Sequence, residues 1–165
     1  MIFSAPVSAR ASELIDLCRR KTLLIATAES CTGGLISGLL TSIPGSSDVF
    51  DSGFVTYSNS AKTRLLGVPA ELISTHGAVS GEVALAMAEG ALANSAASIS
   101  VAVTGVAGPG GGTVSKPIGL VHLAALRRNM APITRSLSLG DIGRNEVRMQ
   151  TVEEAVAMIY ELAGP

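Results

Sequence analysis

At 165 residues the chain suits one folded domain, long enough to hide about 70% of its unfolded surface. Hydrophobic residues make up 47% and charged residues 15%, which excludes charge-driven disorder, and 12 basic against 13 acidic side chains leave no global field to gather nucleic acid or an anionic membrane. The start "MIFSAPVSARASEL" has no secretory leader pattern, no apolar run reaches the roughly 18 residues that span a bilayer, and the two cysteines, Cys18 and Cys31, fit a reducing compartment, so the reading is a soluble cytoplasmic protein.

In "SELIDLCRRK", Leu14, Leu17 and Cys18 recur at helical spacing opposite charged residues, which predicts a surface helix with Cys18 on its buried stripe. "TLLIATA" reads as a short buried strand, and "CTGGLISGLLTSI" as a helix carrying Leu35, Leu39 and Leu40, so the octet "TAESCTGG" is a strand-to-helix junction. "VFDSGFVTYS" predicts a strand interrupted at Gly53. "NSAKTRLLGVPAELISTHG" follows as two short helices about a Gly67-Val68-Pro69 turn. Ser80 caps the next helix, with Val83, Met87, Gly90 and Ala91 on its slim apolar face. "ASISVAVTG" is a strand that opens into a glycine loop, "IGLVHLAAL" and "ITRSLSL" form a hairpin, and residues 143 to 162 form a last helix with Asp141 as its cap. Early alternation and a late hairpin predict a three-layer α/β/α sandwich with a mixed, mostly parallel sheet, residues 1–165 being a single domain.

The junction octet carries the first candidate chemistry. Placed at a helix N-terminus, Ser30 can act as a nucleophile whose oxyanion the free N–H groups receive, with Gly33 and Gly34 letting a substrate approach the backbone. It can equally be a plain helix cap, and Cys31 is a rival nucleophile at the same junction. No Ser-His-Asp set accompanies it: His122 alternates within an apolar strand, and His76 sits at a helix end beside Gly77. Lysine is the remaining base, because a desolvated lysine loses its proton near neutral pH, and Lys62 in "TYSNSAK" is the best placed. Tyr57, at a strand end, can stack on a ring or hydrogen-bond a reacting group.

"TGVAGPGGGTVSKP" fails the phosphate-loop pattern G-x-x-x-x-G-K-[ST], since Lys116 follows Ser115 and precedes Pro117. A backbone anion nest involving Thr104 and Lys116 stays open. Arg144 and Arg148 lie four apart on one helix face and can grip a phosphate. The absence of G-x-G-x-x-G in the first unit disfavours hydride transfer, and no metal-ligand spacing occurs, so neither cofactor nor metal is expected.

Taken together, "TAESCTGG", "GFVTYSNSAK", "LLGV", "HGAVS", "TGVAGPGGG", "KPIGLV" and "GDIGRNEVR", in that order, resemble the CinA carboxy-terminal domain family, whose stand-alone form is a nicotinamide-nucleotide amidase. The resemblance covers the chain from about residue 10 onward. It implies hydrolysis of nicotinamide mononucleotide to nicotinic acid mononucleotide and ammonia, by a Ser30 nucleophile assisted by Lys62 and Tyr57. Thr32, Gly33, Gly34, Thr104, Gly105, Gly108, Lys116, Arg144 and Arg148 are the expected substrate contacts. Ile142 stands where the family usually has an arginine directly after "GD", so Arg144 or Arg148 takes its place in what looks like a longer turn. Larger family members add an amino-terminal nucleotide-hydrolysing domain, for which this chain is too short. A homo-oligomer is expected; a non-catalytic nucleotide-binding module is the alternative, and phosphotransfer through the glycine loop ranks below both.

Overall fold

Alternate positions along the central strands carry two kinds of side chain, and this segregation builds the layers. In a computed structural model, which describes residues 2–164, five strands pair in the order β2-β1-β3-β4-β5. They are β1 (Ile25–Glu29), β2 (Phe50–Val55), β3 (Ile99–Gly105), β4 (Leu120–Arg127) and β5 (Ile133–Ser138). β1 runs parallel to both β2 and β3, β4 is antiparallel to β3, and β5 is antiparallel to β4. All strands but β4 therefore point one way.

Ile25, Val101 and Leu123 pack with α1 (Ala5–Arg20), α2 (Leu35–Thr41) and α6 (Arg144–Ala163). Ala26, Ala28, Ala102 and Ala124 face the other way, toward α3 (Asn59–Leu66), α4 (Ala70–His76) and α5 (Gly81–Ala93). The expected three-layer sandwich is the one that forms. Alanine on this second face lets α5 ride close to the sheet, close enough for Ser100 Oγ to donate to the Ala88 carbonyl at 2.8 Å. α5 in turn presses on α3, and a Cβ built on Gly90 would lie 2.0 Å from the Leu66 carbonyl oxygen.

Most elements fall where the pattern puts them. Ser80 Oγ accepts from Val83 N at 3.3 Å, Cys18 is buried, and the apolar residues expected of the last helix are buried. Three details differ. α1 begins at Ala5, because Pro6 has the fixed φ of a first helical turn. β2 runs unbroken through Gly53, and the irregularity sits where the pairing passes from Ile25–Phe50 to Ala26–Ser52, skipping Asp51. Gly53 is instead a close approach, since a Cβ there would meet Ser37 Oγ at 2.5 Å. α6 starts at Arg144 behind Gly143, so Asp141 is not its cap.

The topology also locates a crevice. From β1 the chain passes through α2 to β2 on one side, and later through α5 to β3 on the other side, from the opposite face of the sheet. Strand order thus reverses between β1 and β3, and in open α/β sheets ligands bind outside the carboxyl ends of strands at such a point. Residues 29–31, 55–57 and 104–107 leave the sheet there. No helix among the described residues is long and apolar enough to cross a membrane.

Helix propensity alone favours alanine over glycine inside α5 by about 1 kcal/mol. The Leu66 contact reverses the sign: Gly90→Ala is expected to lose about 1–3 kcal/mol in urea unfolding by overpacking. An increase in stability would show that α3 and α5 are not in backbone contact.

Candidate active site

Lys62 is the largest fully buried side chain among the described residues and is sunk into this end of the molecule, with 1% of its surface exposed. It lies on the first turn of α3, held by Ser58, whose Oγ accepts from Ala61 N at 3.1 Å. Its Nζ reaches Ser30 Oγ at 3.0 Å, the Thr56 carbonyl at 2.8 Å and the Tyr57 carbonyl at 3.4 Å. No carboxylate forms an ion pair with it among the described residues. Burial therefore pulls its pKa below the usual 10.5. Once neutral, the amine keeps two N–H groups for the two carbonyls and has its lone pair left for the Ser30 hydroxyl proton. That is the arrangement a general base requires.

Ser30 is not the first residue of α2. The turn 31–34 separates them, with Gly33 and Gly34 at φ of 60° and 100°, conformations that a side chain resists. The amides at the head of α2 are also engaged: the fully buried Glu29 carboxylate accepts from Gly34 N and Ile36 N at 3.0 Å and from Ser37 N at 2.8 Å. The Thr32 and Ser37 hydroxyls donate to the same group at 2.7 and 2.8 Å. Helix N–H groups are thus unavailable to an oxyanion, Thr32 turns its hydroxyl inward, and the glycines serve the turn's shape. Arg148 likewise does not line the cavity over Ser30 and Lys62, its Nε donating to the Cys31 carbonyl at 3.1 Å and its Nη2 to the Thr32 carbonyl at 3.0 Å. The Cys31 and Thr32 amides have no acceptor among the described residues.

A cavity of about 210 Å³ opens over this pair, lined among others by Tyr57, Asn59, Ala78, Thr104, Gly105 and Arg144. Arg144 donates to the Gly108 carbonyl at 2.9 Å and to the Tyr57 hydroxyl at 3.0 Å, which binds the glycine loop to the cavity mouth. Tyr57 itself is 62% exposed; its carbonyl faces Lys62, and its ring forms a wall. Thr104 Oγ1 donates to the Ala78 carbonyl at 2.8 Å, fixing the loop before α5 against the end of β3. Lys116 does not arrive: its amine reaches across to the His76 carbonyl. Neither histidine lines the cavity. His122 pairs with Ser136 Oγ at 2.7 Å, and His76 faces Glu82. Cys31 is buried at the cavity edge, where loss of water pushes its thiol up to about 11, a poor nucleophile. Among the described residues no group of three or more His, Cys, Asp or Glu could hold a metal ion.

Sequence reading passed over Glu29, Asn59 and the Ala78-Val79 loop. A glutamate ending an otherwise apolar strand was the available signal for the first. The other two have none, because they reach the cavity only through the way α3 and α5 enter the sheet.

Comparison with known proteins gives one family. The model of the CinA C-terminal domain matches residues 7–163. A putative competence-damage inducible protein of Caldicellulosiruptor bescii is 56% identical over 110 residues, which is 67% of this chain and 27% of that protein. A CinA-like protein of Anaeromyxobacter sp. (strain K) is 49% identical over 135 residues, 82% of this chain and 33% of that protein. This chain thus spans between about a quarter and a third of these relatives. The crystal structure of the competence/damage inducible protein CihA from Agrobacterium tumefaciens superposes with a TM-score of 0.96 at 51% identity, covering 97% of both chains. A CinA superfamily protein from Escherichia coli gives 0.89 at 31%, covering 94% of this chain and 90% of that one.

The buried amine also sets a stability signature. With its folded pKa below the unfolded value near 10.5, the unfolded chain binds the extra proton between the two, so stability rises with pH through that window. Against Lys62→Met, which fills the same space without titrating, the parent should gain stability in urea unfolding as pH climbs from 7 to 10.5. A difference that stays flat, or drifts toward the variant, would mean that Lys62 is not desolvated in the fold.

Proposed function

Since the chain belongs to the CinA C-terminal domain family, we propose that it is an amidohydrolase that converts nicotinamide mononucleotide and water into nicotinic acid mononucleotide and ammonia. The observation that carries this reading is the buried 3.0 Å contact between Lys62 Nζ and Ser30 Oγ. A serine and a desolvated lysine lining one cavity, followed in the chain by two backbone amides with no acceptor among the described residues, are parts that acyl transfer needs.

Ser30 Oγ attacks the carboxamide carbon while its proton passes to the neutral Lys62 amine. The carbonyl oxygen becomes an oxyanion, for which the Cys31 and Thr32 amides are the nearby unclaimed donors. On collapse the C–N bond breaks, and the proton on Lys62 leaves with the departing nitrogen as ammonia. A water then loses a proton to Lys62 and attacks the acyl-serine; the carboxylic acid departs, and Ser30 recovers its proton. The pyridinium withdraws electrons from the amide, so positioning and charge stabilisation carry most of the catalysis.

The rest of the cavity suits the remainder of such a substrate. The Tyr57 ring, exposed at the mouth, offers a π face to a cationic pyridinium. Arg144, beside it, still has N–H groups beyond the two that hold Gly108 and Tyr57, and these can receive the phosphate. Arg144 rather than Arg148 thereby takes the place of the residue usual after "GD".

Purified protein incubated with the mononucleotide should release ammonia. Ser30→Ala should lower the rate by at least about 1,000-fold, and Cys31→Ser by less than about tenfold. Activity surviving Ser30→Ala but lost in Cys31→Ser would overturn the nucleophile. Thermal stabilisation by the mononucleotide without ammonia release would instead favour a binding module. Arg144→Ala should raise KM about 10- to 100-fold, the equivalent of the roughly 1.5–3 kcal/mol of a hydrogen bond to a charged group, with a smaller effect on kcat.

A further inference from the structure

Glu29 has no part in the steps above, yet it is the residue before the nucleophile, is fully buried, and holds more hydrogen bonds than any side chain of the cavity. Oε2 accepts from the Thr32 hydroxyl, Gly34 N and Ile36 N, and Oε1 from Ser37 N and the Ser37 hydroxyl. These five donors belong to a single stretch, 32–37, which the carboxylate gathers against the end of β1. From the other direction Arg148 holds the carbonyls of Cys31 and Thr32. The turn that carries Ser30 is thus fixed through its donors by one group and through its acceptors by another.

The amides of Cys31 and Thr32 lie outside both grips. In a planar trans peptide the N–H points opposite to the preceding carbonyl, so a Cys31 carbonyl bound to Arg148 turns the Thr32 N–H away from Arg148. Ser30 N is tied to the Val103 carbonyl at 3.1 Å, which leaves the position of its Oγ dependent on how the following turn is held.

We propose that Glu29, opposed by Arg148, is a positioning residue that sets Ser30 Oγ against Lys62 and keeps the Cys31 and Thr32 amides free for the oxyanion. Only the kinetic arm of its test rests on the amidase reading. Glu29→Gln preserves shape, but its amide nitrogen cannot accept from a backbone N–H as the replaced oxygen does, so one donor of the turn must swing away. Arg148→Lys likewise cannot hold two carbonyls in the planar fork of a guanidinium.

Both variants are to be assayed for ammonia release at a temperature below their measured melting points, and both crystallised. The expected result is a fall in kcat of at least 100-fold with KM within threefold, and a Ser30 Oγ to Lys62 Nζ separation beyond hydrogen-bonding distance in the crystals. A kcat within threefold of the parent in both variants, or crystals that keep the 3.0 Å contact, would overturn it, leaving Glu29 as a structural cap of α2. A parent that releases no ammonia would sink the amidase reading alone, and the crystallographic distance would then decide the role of Glu29. If Glu29→Gln does not fold, Arg148→Lys carries the same two readouts.

Discussion

Removing an ammonium group from water costs several kcal/mol even after the protein relaxes, and a partnering carboxylate is the usual compensation. Among the described residues Lys62 has none; what it has are three oxygen atoms, two of them backbone carbonyls and one the Ser30 hydroxyl. These offset part of the cost for an ammonium and suit a neutral amine better, which needs just two acceptors and one donor. The site follows from this constraint. Thr56 N bonds the Glu29 carbonyl at 2.9 Å, which extends the β1–β2 pairing by one residue and places the Thr56 carbonyl beside Ser30. The first turn of α3 then delivers the amine between them.

Holding that arrangement requires a rigid turn at the end of β1, and a second buried charge supplies it. Glu29 bears a desolvation cost of its own, but three backbone amides and two hydroxyls donate to its two oxygens and so replace the water it has lost. The two buried groups therefore differ in kind. Glu29 is fully satisfied and gives rigidity, whereas Lys62 is left short of compensation and gives reactivity. The fold brings them together because the reversal of strand order at β1 and β3 sends α2 and α5 to opposite faces and leaves the strand ends open between them.

Much of this was legible in residue patterns. The alternation of strands and helices, the Ser80 cap and the buried stripe of α6 depend on local periodicity, and the structure agrees with them. Ser30 and Lys62 were legible as nucleophile and base, and the family resemblance implied that they act together, but the contact itself, across 32 residues of chain, is made by packing. Ser30 as the head of a helix was a misreading. Positive φ at Gly33 and Gly34 delays α2 to Leu35, a conformation that the double glycine permits without announcing. Arg144 and Arg148 share a face in sequence, yet one turn of helix, about 5.4 Å, is enough to give one the cavity and the other the carbonyls behind it. Lys116, next to a glycine loop, looked like an anion contact, but its long side chain found a helix-end carbonyl instead. For the arginines and the lysine the outcome was fixed by tertiary reach, which spacing along the chain does not encode.

The account stands on the proton of Lys62. Lysine side chains labelled with ¹³C and ¹⁵N allow the Nζ and Cε resonances to be followed with pH, with Lys62→Met identifying the signal. A titration midpoint clearly below the ordinary lysine value of 10.5, and a shift of that midpoint when Ser30 is replaced by alanine, is the result expected of a desolvated base facing its hydroxyl. A midpoint at or above 10.5, unmoved by Ser30→Ala, would leave a permanently charged ammonium and contradict the base assignment on which the chemistry depends.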